Sequence, residues 1–85
     1  MKYKLKEQEE IEAILFTGQN KRDIGEWMFS LGDKRFYIDR QGKMVITTFT
    51  GPIFIEPNDY IIYDKQDGDY WKMNSKGFEN IYEPV

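Results

Sequence analysis

The chain has 85 residues and neither cysteine nor histidine. That leaves room for one domain over 1–85 and excludes disulfide, thiolate and imidazole chemistry and any Cys- or His-ligated metal. Twelve basic against fifteen acidic residues give a net charge of −3, the wrong sign for general nucleic-acid binding, which relies on neutralising phosphates. The charge is uneven: residues 1–43 carry nine Lys/Arg and eight Asp/Glu, whereas residues 44–85 carry three Lys and seven Asp/Glu. Aromatic residues make up 16%, a surplus that disordered chains lack.

In chain order, residues 1–8 are polar and read as frayed or as an edge strand. Glu9–Thr17 reads as a strand, with Ile11, Ala13 and Leu15 alternating against Glu10, Glu12 and Ile14. The period then changes. Ile24, Trp27, Met28 and Leu31 fall at i, i+3, i+4 and i+7, which predicts a helix over about 20–31 with Trp27 as a core anchor. Asn20 is placed as its N-cap and Gly32 as its C′ residue. Gly25 weakens this helix by roughly 1 kcal/mol relative to alanine, so it needs packing to persist.

From Arg35 onward the pattern is strands. Phe36–Asp39 is short, and 40–43 is a turn containing Gly42. Met44–Thr50 is β-branched and aromatic, Gly51-Pro52 punctuates it, and Ile53–Ile55 follows. In the turn over 56–59, Pro57 suits position i+1 and Asn58 the positive φ of a type II turn, with Asp59 bonding backbone amides. Tyr60–Tyr63 and Tyr70–Met73 read as a hairpin around a 64–69 loop, with Gly68 in an Asp-Gly signal. Residues 74–77 read as a turn, and Phe78, Ile81 and Tyr82 pack the tail. These elements predict an α+β domain: one helix packed on a mostly antiparallel sheet of five or six short strands.

Candidate chemistry is sparse. Asp64, Asp67 and Asp69 hint at a calcium loop, but their spacing is not that of an EF-hand and a hairpin loop accounts for them. Asp59 beside Tyr60 is a carboxylate–phenol pair that its own turn also explains. The aromatic residues Tyr60, Tyr63, Tyr70 and Trp71 lie on the two hairpin strands. Alternation puts Tyr60 and Ile62 on one face, Ile61 and Tyr63 on the other, and Tyr70 opposite Trp71. One face offers a stacking platform with Lys72 near it as an anion contact; ordinary cross-strand aromatic pairing is the plainer account. Arg35, Arg40 and Lys43 flank the Gly42 turn as a basic patch for a phosphate or an acidic partner, or simply as solvated charge. No metal and no cofactor is expected.

The segments IEAILFTGQN (11–20), TFTG (48–51), PNDYII (57–62), GDYW (68–71) and FENIYEPV (78–85) fall in one order. Together they resemble a family of small phage and prophage proteins of unknown function. Its members read "VEAIQFTG", "TLEGTM", "PGDYII", "GEFY" and "F..TYEPV" in the same sequence order. The likeness spans most of the chain. Asn58 stands where the family has glycine, and asparagine is the best non-glycine substitute in the left-handed region. The family's "KPVVVEA" start and its "YPCKPDIF" stretch are replaced here by residues 6–11 and 71–78. The resemblance implies a phage genome and the cytoplasm of a bacterial host cell, and it brings no established activity.

The composition accordingly favours binding over catalysis, and the function expected is not enzymatic. One form is an accessory protein acting against host defence by sequestering a small nucleotide-type signal, with a pocket shared in a homo-oligomer. A second is a protein–protein inhibitor of a host nuclease or polymerase that uses its acidic half. A third is a minor structural or assembly protein. No membrane association is expected, because no apolar run approaches the ~20 residues of a span and the Lys2, Lys4, Lys6 start lacks the apolar region of a signal peptide.

Overall fold

The computed structural model describes residues 2–5 and 10–84. Among them the elements run β1 (Lys2–Leu5), β2 (Glu10–Leu15), α1 (Lys21–Ser30), β3 (Phe36–Ile38), β4 (Met44–Thr48) and β5 (Gly51–Ile55). They continue with β6 (Asp59–Asp64), β7 (Asp69–Asn74), α2 (Ser75–Ile81) and β8 (Tyr82–Pro84). The α+β class holds. The single sheet does not: there is a five-stranded sheet in the order β7-β6-β2-β1-β8 and a three-stranded sheet in the order β3-β4-β5. All pairs are antiparallel.

α1 forms where the 3.6-residue period predicts it. Ile24 and Met28 are fully buried and Trp27 nearly so. It ends in a Schellman motif: Asp33 N–H donates to Met28 O at 3.0 Å and Gly32 N–H to Phe29 O at 2.9 Å. Gly32 takes the positive φ of 79° that this geometry requires. Asn20 precedes the helix but its side chain does not cap it. Its Oδ1 instead accepts from Thr17 N–H at 2.8 Å and its Nδ2 donates to Leu15 O at 2.7 Å, bracing the link from β2.

β4 stops at Thr48, and Phe49-Thr50 form the tip of a tight turn into β5. Gly51 and Pro52 therefore belong to a strand rather than interrupting one. Pro52 is tolerated because β5 is an edge. The second helix, α2, occupies residues read from sequence as a turn and a tail. Asn74 caps it by accepting from Lys76 N–H at 2.9 Å.

Two cores result, one on each face of the larger sheet. On one face Ile14, Ile61 and Tyr70 meet Ile24, Trp27 and Met28 of α1 and Met44, Ile46 and Ile55 of the smaller sheet. On the other, Tyr3, Ala13, Tyr60 and Ile62 surround Phe78 of α2. The order is thus α2, larger sheet, then α1 with the smaller sheet. With residues facing both ways buried, β6 reads as a continuous apolar run, Tyr60–Tyr63, rather than a strict alternation. Among the described residues no helix is long and apolar enough to cross a membrane.

Candidate functional site

The hairpin of β6 and β7 carries most of the predicted site. Its register sets Tyr60 opposite Met73, Ile61 opposite Lys72, Ile62 opposite Trp71 and Tyr63 opposite Tyr70. Side chains alternate along each strand, so Tyr60 and Trp71 face α2 while Tyr63, Tyr70 and Lys72 face the smaller sheet. The aromatic residues are divided between the two faces and do not form one platform.

Burial divides them further. Tyr60 stacks on Phe78 with ring centroids 3.8 Å apart. Its hydroxyl donates to Glu79 Oε2 at 3.2 Å, and burial pushes its phenol above the usual range, with Tyr3 and Glu79 adding to the effect. Tyr70 lies in the first core, 5.2 Å from the Tyr63 ring and 6.0 Å from Trp27. Among the described residues its hydroxyl is buried without a partner at hydrogen-bonding geometry. Burial chiefly, then the nearby Asp33 carboxylate, raises its pKa. Both tyrosines are core residues and present no ring to solvent.

The cations are also occupied. Lys72 Nζ donates to Phe54 O at 2.6 Å and lies 3.5 Å from Asp59 Oδ2, so it ties β7 to β5. Arg35 bonds both oxygens of Asp33 at 3.0 Å, reaches Asp69 Oδ1 at 3.3 Å and donates to Gly68 O. Its guanidinium lies between two rings, 4.9 Å from the Phe49 centroid and 5.0 Å from Tyr70. It also holds the Asp33 carboxyl below the usual carboxylate range, first through the side-chain hydrogen bond. Arg35 is therefore a strut between the two sheets. Arg40 is exposed in the turn after β3, and among the described residues it has no hydrogen bond or ion pair to this cluster.

The turn residues position these strands. Asn58 has φ 75°, and Asp59 N–H donates to Glu56 O at 3.0 Å. Asp59 Oδ2 accepts from Glu56 N–H at 2.9 Å. Pro57 packs against Gly18, where an added Cβ would lie 3.3 Å from Pro57 Cγ. Asn58 N–H donates to Phe16 O at 2.7 Å and Asn58 O accepts from Ser75 N–H at 3.0 Å. One turn thus fixes the end of β2 and the start of α2. Gly68 closes the hairpin with φ 66° and a 2.8 Å bond to Asp64 O.

Trp71 is the predicted aromatic residue that stays in solvent, 39% exposed. It walls a hollow of about 430 Å³ whose apolar lining includes Ile11, Ile62 and Tyr82. Its polar edge is the hairpin loop: Asp64, Lys65 and Gln66. Asp64 Oδ1 accepts from Gln66 N–H at 2.9 Å, which orders that edge. The hollow offers a flat ring, an apolar floor, one cation and one carboxylate. Among the described residues no group of three or more acidic side chains is placed to hold a metal ion. Ile11 and Tyr82 reach the hollow from strands near opposite ends of the chain, and sequence spacing carries no signal for that.

No family model, no curated protein and no solved structure matches the chain.

Proposed function

We propose that this chain is a non-enzymatic binding protein that retains a small nucleotide-type ligand in the hollow beside Trp71. The observation that carries the reading is Trp71 itself, a large ring left in solvent over an apolar floor while Tyr60 and Tyr70 on the same hairpin are buried. A base stacks on such a ring with little demand on sequence. Asp64 and Gln66 supply an acceptor and an amide for its edge, and Lys65 supplies one charge for one phosphate. A second copy closing the hollow completes the reading as a homo-oligomer. The phage setting, the action against host defence and the bacterial cytoplasm rest on the sequence resemblance alone.

The inhibitor reading, in which the acidic half imitates nucleic acid, is less favoured. Asp59 and Asp69 of that half accept from Glu56 and Phe49 N–H, and Asp69 also pairs with Arg35. Those carboxylates are committed inside the fold.

Fluorescence tests the ligand reading cleanly because Trp27 is buried and Trp71 is not. Titration with adenosine monophosphate, cyclic adenosine monophosphate and adenosine diphosphate ribose should quench emission and raise the melting temperature for at least one of them. Trp71→Ala should abolish both responses with an unchanged circular dichroism spectrum. If none of the three ligands moves either signal, the nucleotide reading is wrong.

A further inference from the structure

The opposite side of the molecule carries an apolar groove that the ligand hollow does not involve. It runs between α1 and β3, about 590 Å³, with Phe29, Phe36 and Ile38 as its walls and Gly25 in its floor. Phe29 is 68% exposed and Ile38 42%. Gly25 is there for a steric reason: a Cβ would lie 2.9 Å from Phe36 Cζ.

Next to the groove lies an open strand edge. β3 is the outer strand of the smaller sheet and, among the described residues, pairs only with β4. Thr47 N–H donates to Arg35 O at 2.7 Å and Asp39 N–H to Lys43 O at 2.9 Å. In an antiparallel pair these bonds turn the backbone groups of Arg35, Tyr37 and Asp39 toward β4. The N–H and C=O groups of Phe36 and Ile38 therefore face the open side. The side chains of the same two residues face the groove.

The rim is basic. Lys21 and Arg22 line it, with Glu26 paired to Arg22 at 3.2 Å. Lys21 Nζ donates to Gly42 O at 2.9 Å, which draws the turn bearing Arg40 and Lys43 against the start of α1. Both of those side chains are exposed and, among the described residues, unpaired.

From this juxtaposition we infer that β3 is a docking edge for an extended, acidic segment of a partner protein. Such a segment pairs its backbone with Phe36 and Ile38, lays an apolar side chain beside Phe29, and sets carboxylates against Lys21 and Arg22. Open edges are templates for strand addition, and natural proteins usually cover or charge them. A second copy in the symmetric arrangement is disfavoured because it would bring two basic rims together. This inference is independent of the ligand hollow, since it uses a different face and a different partner class.

The test is amide NMR of the whole ¹⁵N-labelled protein titrated with a blocked heptapeptide alternating glutamate with isoleucine, and with its lysine analogue. The acidic peptide should shift the amides of residues 36–38, Gly25 and Phe29 in a saturable way. The lysine analogue should not. Raising salt from about 0.05 to about 0.3 M should weaken binding several-fold, because the rim charges are exposed. Ile38→Glu should abolish the shifts, and Arg22→Glu should weaken binding about threefold or more. Arg22 is almost fully exposed, so its variant keeps the test valid if Ile38→Glu unfolds. Absence of saturable shifts, shifts elsewhere, or equal binding of the lysine peptide overturns the inference. A concentration-dependent dimer in sedimentation that Ile38→Glu removes would assign the edge to a second copy and overturn it equally.

Discussion

Arg35 shows how a half-buried charge is made tolerable. A guanidinium has five donors in a rigid fork, and here they meet two carboxylates and a backbone carbonyl between two aromatic faces. Removing it leaves Asp33 and Asp69 partly buried without their cation. Arg35→Met is expected to lose about 2–3 kcal/mol in urea unfolding at neutral pH. The folded Asp33 carboxyl titrates below its unfolded value. Its contribution to stability is therefore present above about pH 4 and disappears as pH falls through the folded pKa. The wild-type stability should thus drop on acidification below about pH 4, and the Arg35→Met curve should drop less. Parallel curves would deny Arg35 this role.

Gly25 poses a choice between two effects of similar size. Alanine would favour the helix by roughly 1 kcal/mol, but its Cβ would sit 2.9 Å from the Phe36 ring. Overpacking of that kind costs about 1–3 kcal/mol. Gly25→Ala is expected to destabilise by about 1 kcal/mol in urea, and Phe36→Leu in the same chain should recover most of the loss, a non-additivity that marks direct contact. The sequence marks Gly25 only as a weak point of α1. Its steric reason depends on Phe36 arriving from another element.

Among the elements, α1 and α2 differ in how far their own residues declare them. α1 repeats its apolar residues along one face and ends on a glycine that its C′ position requires. α2 has seven residues, an internal Gly77 and a single buried side chain, Phe78. A helix that short does not persist by itself, and one apolar residue defines no period. Asn-Ser-Lys-Gly over 74–77 reads as a turn from sequence, and the Asn74 cap shows only once Lys76 N–H donates to it. Phe78 holds α2 by stacking between Tyr60 and Tyr82 and by an edge contact to Tyr3 at 4.9 Å. Phe78→Ala should cost about 3–5 kcal/mol. Amide exchange should rise first in α2 and β8, while α1 keeps its protection. Uniform loss of protection in both helices would contradict an α2 held chiefly by Phe78.

The whole molecule is closed by strands from its two ends. β1 pairs with β2 on one side and with β8 on the other, and Tyr3 of β1 lies under Phe78. Deletion of residues 1–5 should therefore expose the far end of the chain. The amides of β8 should lose protection, and stability should fall by about 3 kcal/mol or more, the cost of losing a buried aromatic residue. A deletion that leaves β8 protected would mean that β8 is held by α2 rather than by β1.

Local pattern by itself determined the α+β class, the α1 segment with its Gly32 stop, the 57–59 turn, the β6–β7 hairpin and the division of its aromatic residues between two faces. Each depends on residues within a few positions of one another, where period and φ preference act directly. Tertiary structure alone decided the rest. It split the strands into two sheets, buried Tyr60 and Tyr70, tied Lys72 and Arg35 into struts, and left Trp71 beside Ile11 and Tyr82. Alternation tells which side chains share a face, but not what covers that face or which strand lies alongside. The 85 residues offer neither a thiolate nor an imidazole, and packing leaves Trp71 as the aromatic residue of the predicted set that remains exposed.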